Sequence, residues 1–198
     1  MIKRELYMQR IRPFIGNDLI KVMTGIRRSG KSVMLELIKS ELEETGVDSD
    51  HFISINFEDF RYAHLLTAEA LHEEIVRKAS EIQGKVYLFF DEIQEVERWE
   101  KCINSFRVEL NCDIYITGSN AKLLSGELAT YLGGRYVEFI IYPFSFLEFM
   151  ELYHTVFPEV PQAQCFQKYL VLGGMPYLSN LRYEEEPCRQ YLVDLFNS

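Results

Sequence analysis

No stretch of this chain is apolar for long enough to cross a bilayer: its longest hydrophobic runs fall far short of the ~18–20 residues a spanning helix needs. The opening Met1-Ile2-Lys3-Arg4-Glu5-Leu6-Tyr7 lacks the apolar core of a secretory leader. Both absences point to a cytoplasmic protein with no membrane association. Cysteine is sparse, with Cys102, Cys112, Cys165 and Cys188 forming no C-x-x-C pair and no histidine close by in sequence. That gives no sign of a zinc site, and reduced, mostly buried thiols are expected. An excess of positive charge is missing too. The formal net charge of −9 argues against broad, sequence-independent nucleic-acid binding. One small basic cluster, Lys3, Arg4, Arg10 and Arg12, reads either as a local patch or as solvated residues on a helix or arm. Repeats and low-complexity segments are absent. What remains is an ordinary globular balance, 47% hydrophobic, 26% charged and 14% aromatic over 198 residues. That length suits one full domain, or one and a small second.

Against this plain background stands Gly25-Ile26-Arg27-Arg28-Ser29-Gly30-Lys31-Ser32, which fits G-x-x-x-x-G-K-[ST]. Its flanks supply the context the motif requires. Leu19 to Thr24 is extended and mostly apolar, and Met34, Leu37, Ile38 and Leu42 recur at helical spacing. The two glycines can take dihedrals closed to other residues, so successive N–H groups turn inward toward phosphate oxygens. The start of the following helix adds its positive end to the same anion. Gly25, Ile26, Arg27, Arg28, Ser29, Gly30, Lys31, Ser32 and Val33 are therefore the expected nucleotide-binding segment. Lys31 would reach the β- and γ-phosphates, and Ser32 would hold Mg²⁺.

The rest of the chain reads as alternation. An arm or short helix occupies residues 1–16. Strands are predicted near 19–24, 51–57, 86–90, 113–117 and 135–142, with helices over 31–45, from about 67 to 83, near 98–110 and from Asn120 to about Leu132. Thr67 is placed to cap the second helix, and Leu71, Ile75, Ala79 and Ile82 form its buried stripe. Val86 to Phe90 is apolar at every position, as in a strand covered on both faces. After Pro143 only helices follow. Ser145-Phe146-Leu147-Glu148 is a capping box, another helix ends at Leu172, and a last helical pattern begins near Glu186. The predicted class is α/β, a parallel sheet with helices on both faces over residues 1–143, followed by a helical region at 144–198. The site belongs at the carboxyl edge of the sheet.

At that edge, Asp91 closes the third strand and is expected to bind Mg²⁺ with Ser32. Glu92 follows, placed to polarise a water for attack on the γ-phosphate. Ser119 and Asn120 end the next strand. Either could touch the γ-phosphate or the water, and either could simply cap the following helix. Two subclasses are disfavoured by what is missing. The guanine reader Asn-Lys-x-Asp is not found, since Asn120-Ala121-Lys122-Leu123 lacks the aspartate, and no arginine-rich kinase lid is present.

With these residues in place the chain resembles the AAA+ P-loop ATPases, and within them a family of prokaryotic AAA-type ATP-binding proteins. The matching text is Lys21 to Ser32, Phe89 to Gln94 with Trp99, Thr117-Gly118-Ser119, Leu132-Gly133-Gly134-Arg135, Pro143 to Phe146 and Leu172 to Pro176. The resemblance implies strands in the order 5-1-4-3-2, ATP and Mg²⁺ as cofactors, and residues after Pro143 forming the start of a lid. It also implies a further C-terminal domain, so 144–198 reads as a truncated lid whose last apolar residues, Tyr191, Leu192, Leu195 and Phe196, need a partner. The resemblance further places Arg135 as an arginine finger for a neighbouring subunit, which would make the protein a homo-oligomer; pairing with an acid such as Glu138 is the alternative. No persuasive lid arginine emerges beyond Arg182 and Arg189. The expected function is Mg-dependent ATP binding and hydrolysis driving a conformational change in an AAA+-like ATPase, its client protein unknown. An ATP-gated switch with little turnover is a second expectation. A DNA-associated ATPase of mobile elements or defence is a third, and the net charge stands against it.

Overall fold

The computed structural model describes residues 2–118 and 132–197. The backbone divides into two compact units. One comprises Glu5–Gly25 and Lys31–Ile140. The other comprises Met1–Arg4, Ile26–Gly30 and Ile141–Ser198.

The larger unit is built on five strands: β1 (Ile20–Thr24), β2 (Phe52–Asn56), β3 (Val86–Asp91), β4 (Cys112–Thr117) and β5 (Tyr136–Ile140). All neighbours are parallel. The order is β2-β3-β4-β1-β5, which is the expected 5-1-4-3-2 seen from the other edge. Strand β5 is shorter than the sequence suggests. Among the described residues it pairs with β1, which ends at Thr24 opposite Ile140, so that ladder does not carry the strand to Tyr142.

Period-2 alternation decides what each face buries. Ile20, Val22, Ile53, Ile55, Leu88, Phe90, Ile114 and Ile116 share one core with α3 (Ala68–Ser80) and α4 (Trp99–Glu109). Helix α3 begins where Thr67 accepts a hydrogen bond from the Ala70 N–H at 3.3 Å. It buries Leu71, Ile75 and Ala79, while Ile82 is partly buried beyond its end. Helix α4 buries Trp99, Ile103 and Phe106. Each such side chain contributes about 1.5–3 kcal/mol when removed from water. On the opposite face Phe89 stacks on Tyr115 at 4.9 Å, and Lys39 of α2 (Lys31–Glu44) lies over the Phe89 ring. Helices therefore cover both faces, and β3 is buried along nearly all its length. The amino-terminal arm is a helix, α1 (Glu5–Ile11), closed by a 3₁₀ turn at Arg12–Phe14 that contains Pro13.

One buried network holds the amino ends of β1 and β4. Lys21 donates to Asp113 and to the Asn17 carbonyl, and Asp113 also accepts from the Tyr115 hydroxyl and the Gly16 N–H. Burial pushes the Tyr115 phenol well above its ordinary range, so it stays a donor.

The smaller unit is helical: α5 (Phe146–Val156), α6 (Gln162–Leu172) and α7 (Glu185–Phe196). The capping box is fully formed. Ser145 accepts from the Glu148 N–H, and Glu148 accepts from the Ser145 N–H at 2.8 Å. Phe149 sits among Tyr153, Tyr169 and Tyr183 with ring centroids 5.1–5.5 Å apart. Behind α6, Gly174 lets two backbones meet. Its carbonyl accepts from the Phe144 N–H at 2.7 Å, and a Cβ there would fall 2.1 Å from the Phe144 carbonyl oxygen. Among the described residues the cysteines are unpaired; three are buried and Cys112 is half-buried. Burial pushes the Cys102 thiol up to about 12 and the Cys112 thiol up to about 11. No helix of the described residues is long and apolar enough to cross a membrane.

Candidate nucleotide site

Within the sheet unit, the carboxyl ends of β1, β3 and β4 bring together residues far apart in sequence. Lys31 opens α2 and is 4% exposed. Its ammonium lies 3.3 Å from the Gly25 carbonyl and 3.7 Å from Glu92 Oε1. Ser32 and Val33, the next residues of α2, are exposed, and Ser32 lines a cleft shared with Glu36, Ser54, Asn56 and Asp91. Asn56 is the register partner of Asp91 across β2 and β3. The expected magnesium pair, Ser32 and Asp91, thus faces one cleft. Two hard oxygens and a neighbouring amide are suited to a cation that keeps most of its shell for water and phosphate.

Thr117, the last residue of β4, organises the end of β3. Its hydroxyl donates to Asp91 Oδ1 and accepts from the Glu92 N–H at 3.0 Å. Thr117 is fully buried and Asp91 nearly so. One hydroxyl therefore orients a carboxylate and holds the next peptide. That peptide is unusual: Glu92 has φ 54° and ψ 51°, the left-handed region, which costs a residue with a side chain about 1–3 kcal/mol. The turn swings Glu92 off the strand, and its carboxylate meets Lys31 on one oxygen and Gln94 Nε2 on the other, at 2.6 Å. Thr24, ending β1, donates to Glu138 of β5 at 2.6 Å.

The segment Ile26–Gly30 belongs with the helical unit. Gly25 precedes it with φ 141° and Gly30 ends it with φ 103°, values that favour glycine, and Arg28 also has positive φ, 61°. The Ser29 N–H reaches the Ile26 carbonyl at 3.3 Å, closing a turn. Ile26, Arg27 and Arg28 are exposed. The Arg28 guanidinium lies 5.7 Å from the rings of both Tyr177 and Tyr191. Ser29 is fully buried, and its carbonyl accepts from Arg4 Nη1 at 2.9 Å. Arg4 also donates to the Tyr142 carbonyl and to Glu148, and its guanidinium sits over the Phe144 ring. A buried arginine paired this fully fixes the turn from outside it.

Arg135 is exposed just before β5. Its guanidinium donates to Asn104 at 3.3 Å, and Glu138 instead takes the Thr24 hydroxyl. The expected pairing of Arg135 with Glu138 is therefore not formed. Ser119 and Asn120 lie outside the described residues. Sequence reading missed Thr117, Gln94 and Asn56. Thr117 carried a signal as the final polar residue of an apolar strand, and Gln94 as a polar residue two positions past Glu92.

The sequence profile of the AAA domain family matches residues 17–150. An uncharacterized protein of Haemophilus influenzae is 42% identical over 199 residues, covering 100% of this chain and 49% of that protein. One from Methanocaldococcus jannaschii is 33% identical over 189 residues, covering 89% of this chain and 41% of that protein. The chain thus spans about half the length or less of these relatives. Among solved structures, AMPPCP-bound DnaA from Aquifex aeolicus superposes with a TM-score of 0.58 at 15% identity, covering 98% of this chain and 61% of that one. At that identity the likeness is one of fold.

Proposed function

The chain belongs to the AAA domain family, a group of nucleotide-binding P-loop ATPases, and from that premise we propose that it binds ATP with Mg²⁺, hydrolyses it and uses the cycle to drive a conformational change. The observation that supports this best is the convergence of Lys31, Ser32, Asp91 and Glu92 at the carboxyl ends of β1 and β3, with Thr117 of β4 holding the last two. Four chemical roles fall on neighbouring groups.

Gly25 to Val33 wraps the phosphates. Backbone N–H groups and the start of α2 meet the anion, and the Lys31 ammonium turns from Glu92 to pair with phosphate oxygens. Ser32 and Asp91 hold Mg²⁺, which when bound neutralises phosphate charge as it shifts toward the leaving group. Among the described residues no cluster of three or more acids, histidines or cysteines forms a protein-only cage. The two ligands accordingly suit a metal completed by phosphate and water. Glu92 accepts a proton from the attacking water or orients it. The helical unit, 144–198, serves as the lid that registers nucleotide state, and Ser119 and Arg135 are proposed to contact the γ-phosphate, Arg135 from a neighbouring copy.

Phosphate release by the intact protein and by Glu92→Gln tests the reading. Hydrolysis by the wild type, and a fall of ~10²-fold or more in the variant at unchanged ATP affinity, is the expected result. Equal near-zero rates with tight ATP binding would replace the ATPase by a nucleotide-gated switch.

A further inference from the structure

We infer that Gln94 is the positioning residue for Glu92, holding its carboxylate in place for water activation after Lys31 has moved to phosphate. This rests on the ATPase reading. Glu92 has two carboxylate oxygens and two partners. Lys31 lies 3.7 Å from Oε1, a loose pairing for an ammonium, whereas Gln94 Nε2 donates to Oε2 at 2.6 Å. When Lys31 turns to an incoming γ-phosphate, Oε1 is released to face a water. Oε2 remains tied, so the carboxylate keeps its orientation through the step.

Two features argue that Gln94 is present for this purpose and not for the fold. Its Oε1 is buried and meets no donor among the described residues, a cost of about 1–3 kcal/mol that an apolar residue would avoid. And Glu92 sits in a left-handed turn, with its N–H held by Thr117. The backbone is pinned by one neighbour and the side chain by another. A group that had only to be solvated would need neither. A carboxylate within reach of a phosphate carries a different demand, because repulsion would turn it away unless a donor held it.

The test is a double-mutant cycle on turnover. Gln94→Met keeps the length and removes the donor. It is expected to lower kcat about 10- to 100-fold, the worth of one hydrogen bond to a charged group, with the ATP dissociation constant within about twofold of wild type. In a Glu92→Gln background the same change should cost nothing further, since Gln94 acts through the carboxylate already removed. An equal loss in both backgrounds, or a matching loss of ATP affinity, would overturn the assignment and leave Gln94 a structural residue. Should Gln94→Met fail to fold, Gln94→Asn, which withdraws the donor by one methylene and adds no charge, carries the same comparison of backgrounds. A wild type that binds ATP but shows no turnover would instead defeat the ATPase reading and the inference with it.

Discussion

Replacing Thr117 by valine changes one atom pair at the centre of the candidate site and keeps the shape. The hydroxyl makes two bonds, one donated to the Asp91 carboxylate and one accepted from the Glu92 N–H. Losing a bond to a charged group costs about 1.5–3 kcal/mol, and leaving the Glu92 N–H unpaired in a buried setting about 1–3 kcal/mol. The valine methyl recovers about 1 kcal/mol by being apolar in a fully buried place. The net loss is about 3 kcal/mol. For a chain of 198 residues each kcal/mol is worth about 2–4 °C, so the midpoint of thermal unfolding should drop by about 9 °C. Thr117→Ser retains both bonds and loses one methyl, about 1 kcal/mol, or about 3 °C. Calorimetry or circular dichroism on the three proteins separates the terms. A magnesium titration of nucleotide binding then reads the orientation of Asp91, which should weaken in the valine variant alone. If valine and serine variants melt together, or the valine variant melts within about 1 °C of wild type, the hydroxyl does not organise the end of β3 and the reasoning fails.

Lys31→Ala should weaken ATP binding by about 10-fold to several powers of ten, since a charge-assisted phosphate contact disappears; unchanged affinity by calorimetry would refute its role. For Glu148, burial by itself would raise the carboxyl, but bonds from Arg4 and Ser145 outweigh it and hold the group below its ordinary 4.5. The unfolded chain then binds more protons between the two values, so stability rises with pH there and is complete above about 4.5. Glu148→Gln should flatten that acid limb of the melting curve, and a limb of unchanged steepness would contradict the assignment. Arg135→Ala should cut turnover ~10³-fold at unchanged ATP affinity if Arg135 serves a neighbouring copy, with wild-type specific activity rising with protein concentration. Flat activity per molecule would remove that role.

The glycine-rich loop and the Asp91-Glu92 pair were legible as candidates because their pattern is local: glycines at fixed spacing, and acids at the end of an apolar strand. Among the described residues, the strands and most helix limits were legible for the same reason, down to the Thr67 cap and the Ser145–Glu148 box; the helix expected from Asn120 to about Leu132 lies outside them. Thr117 and Gln94 were not. Thr117 acquires its role only because β4 lies beside β3 in a register that pairs Phe90 with Ile116, which sets Thr117 next to Asp91. Gln94 acquires its role from a left-handed turn at Glu92, and glutamate carries no propensity that foretells one. The end of β5 was misjudged because a strand stops where its partner stops, and β1 stops at Thr24.

Arg4 has a consequence for the order in which the chain can be assembled. It grips the Ser29 carbonyl, 25 residues on, and also Tyr142 and Glu148, 138 and 144 residues on. A ribosome adds roughly 5–20 residues per second. Arg4 therefore waits roughly 7–30 s between its own synthesis and that of the carboxylate that neutralises it. For that interval the turn at Ser29 has no finished clamp, however early the sheet begins to pair. A nascent chain stalled before Glu148 would carry every residue of the phosphate loop and still lack its final form.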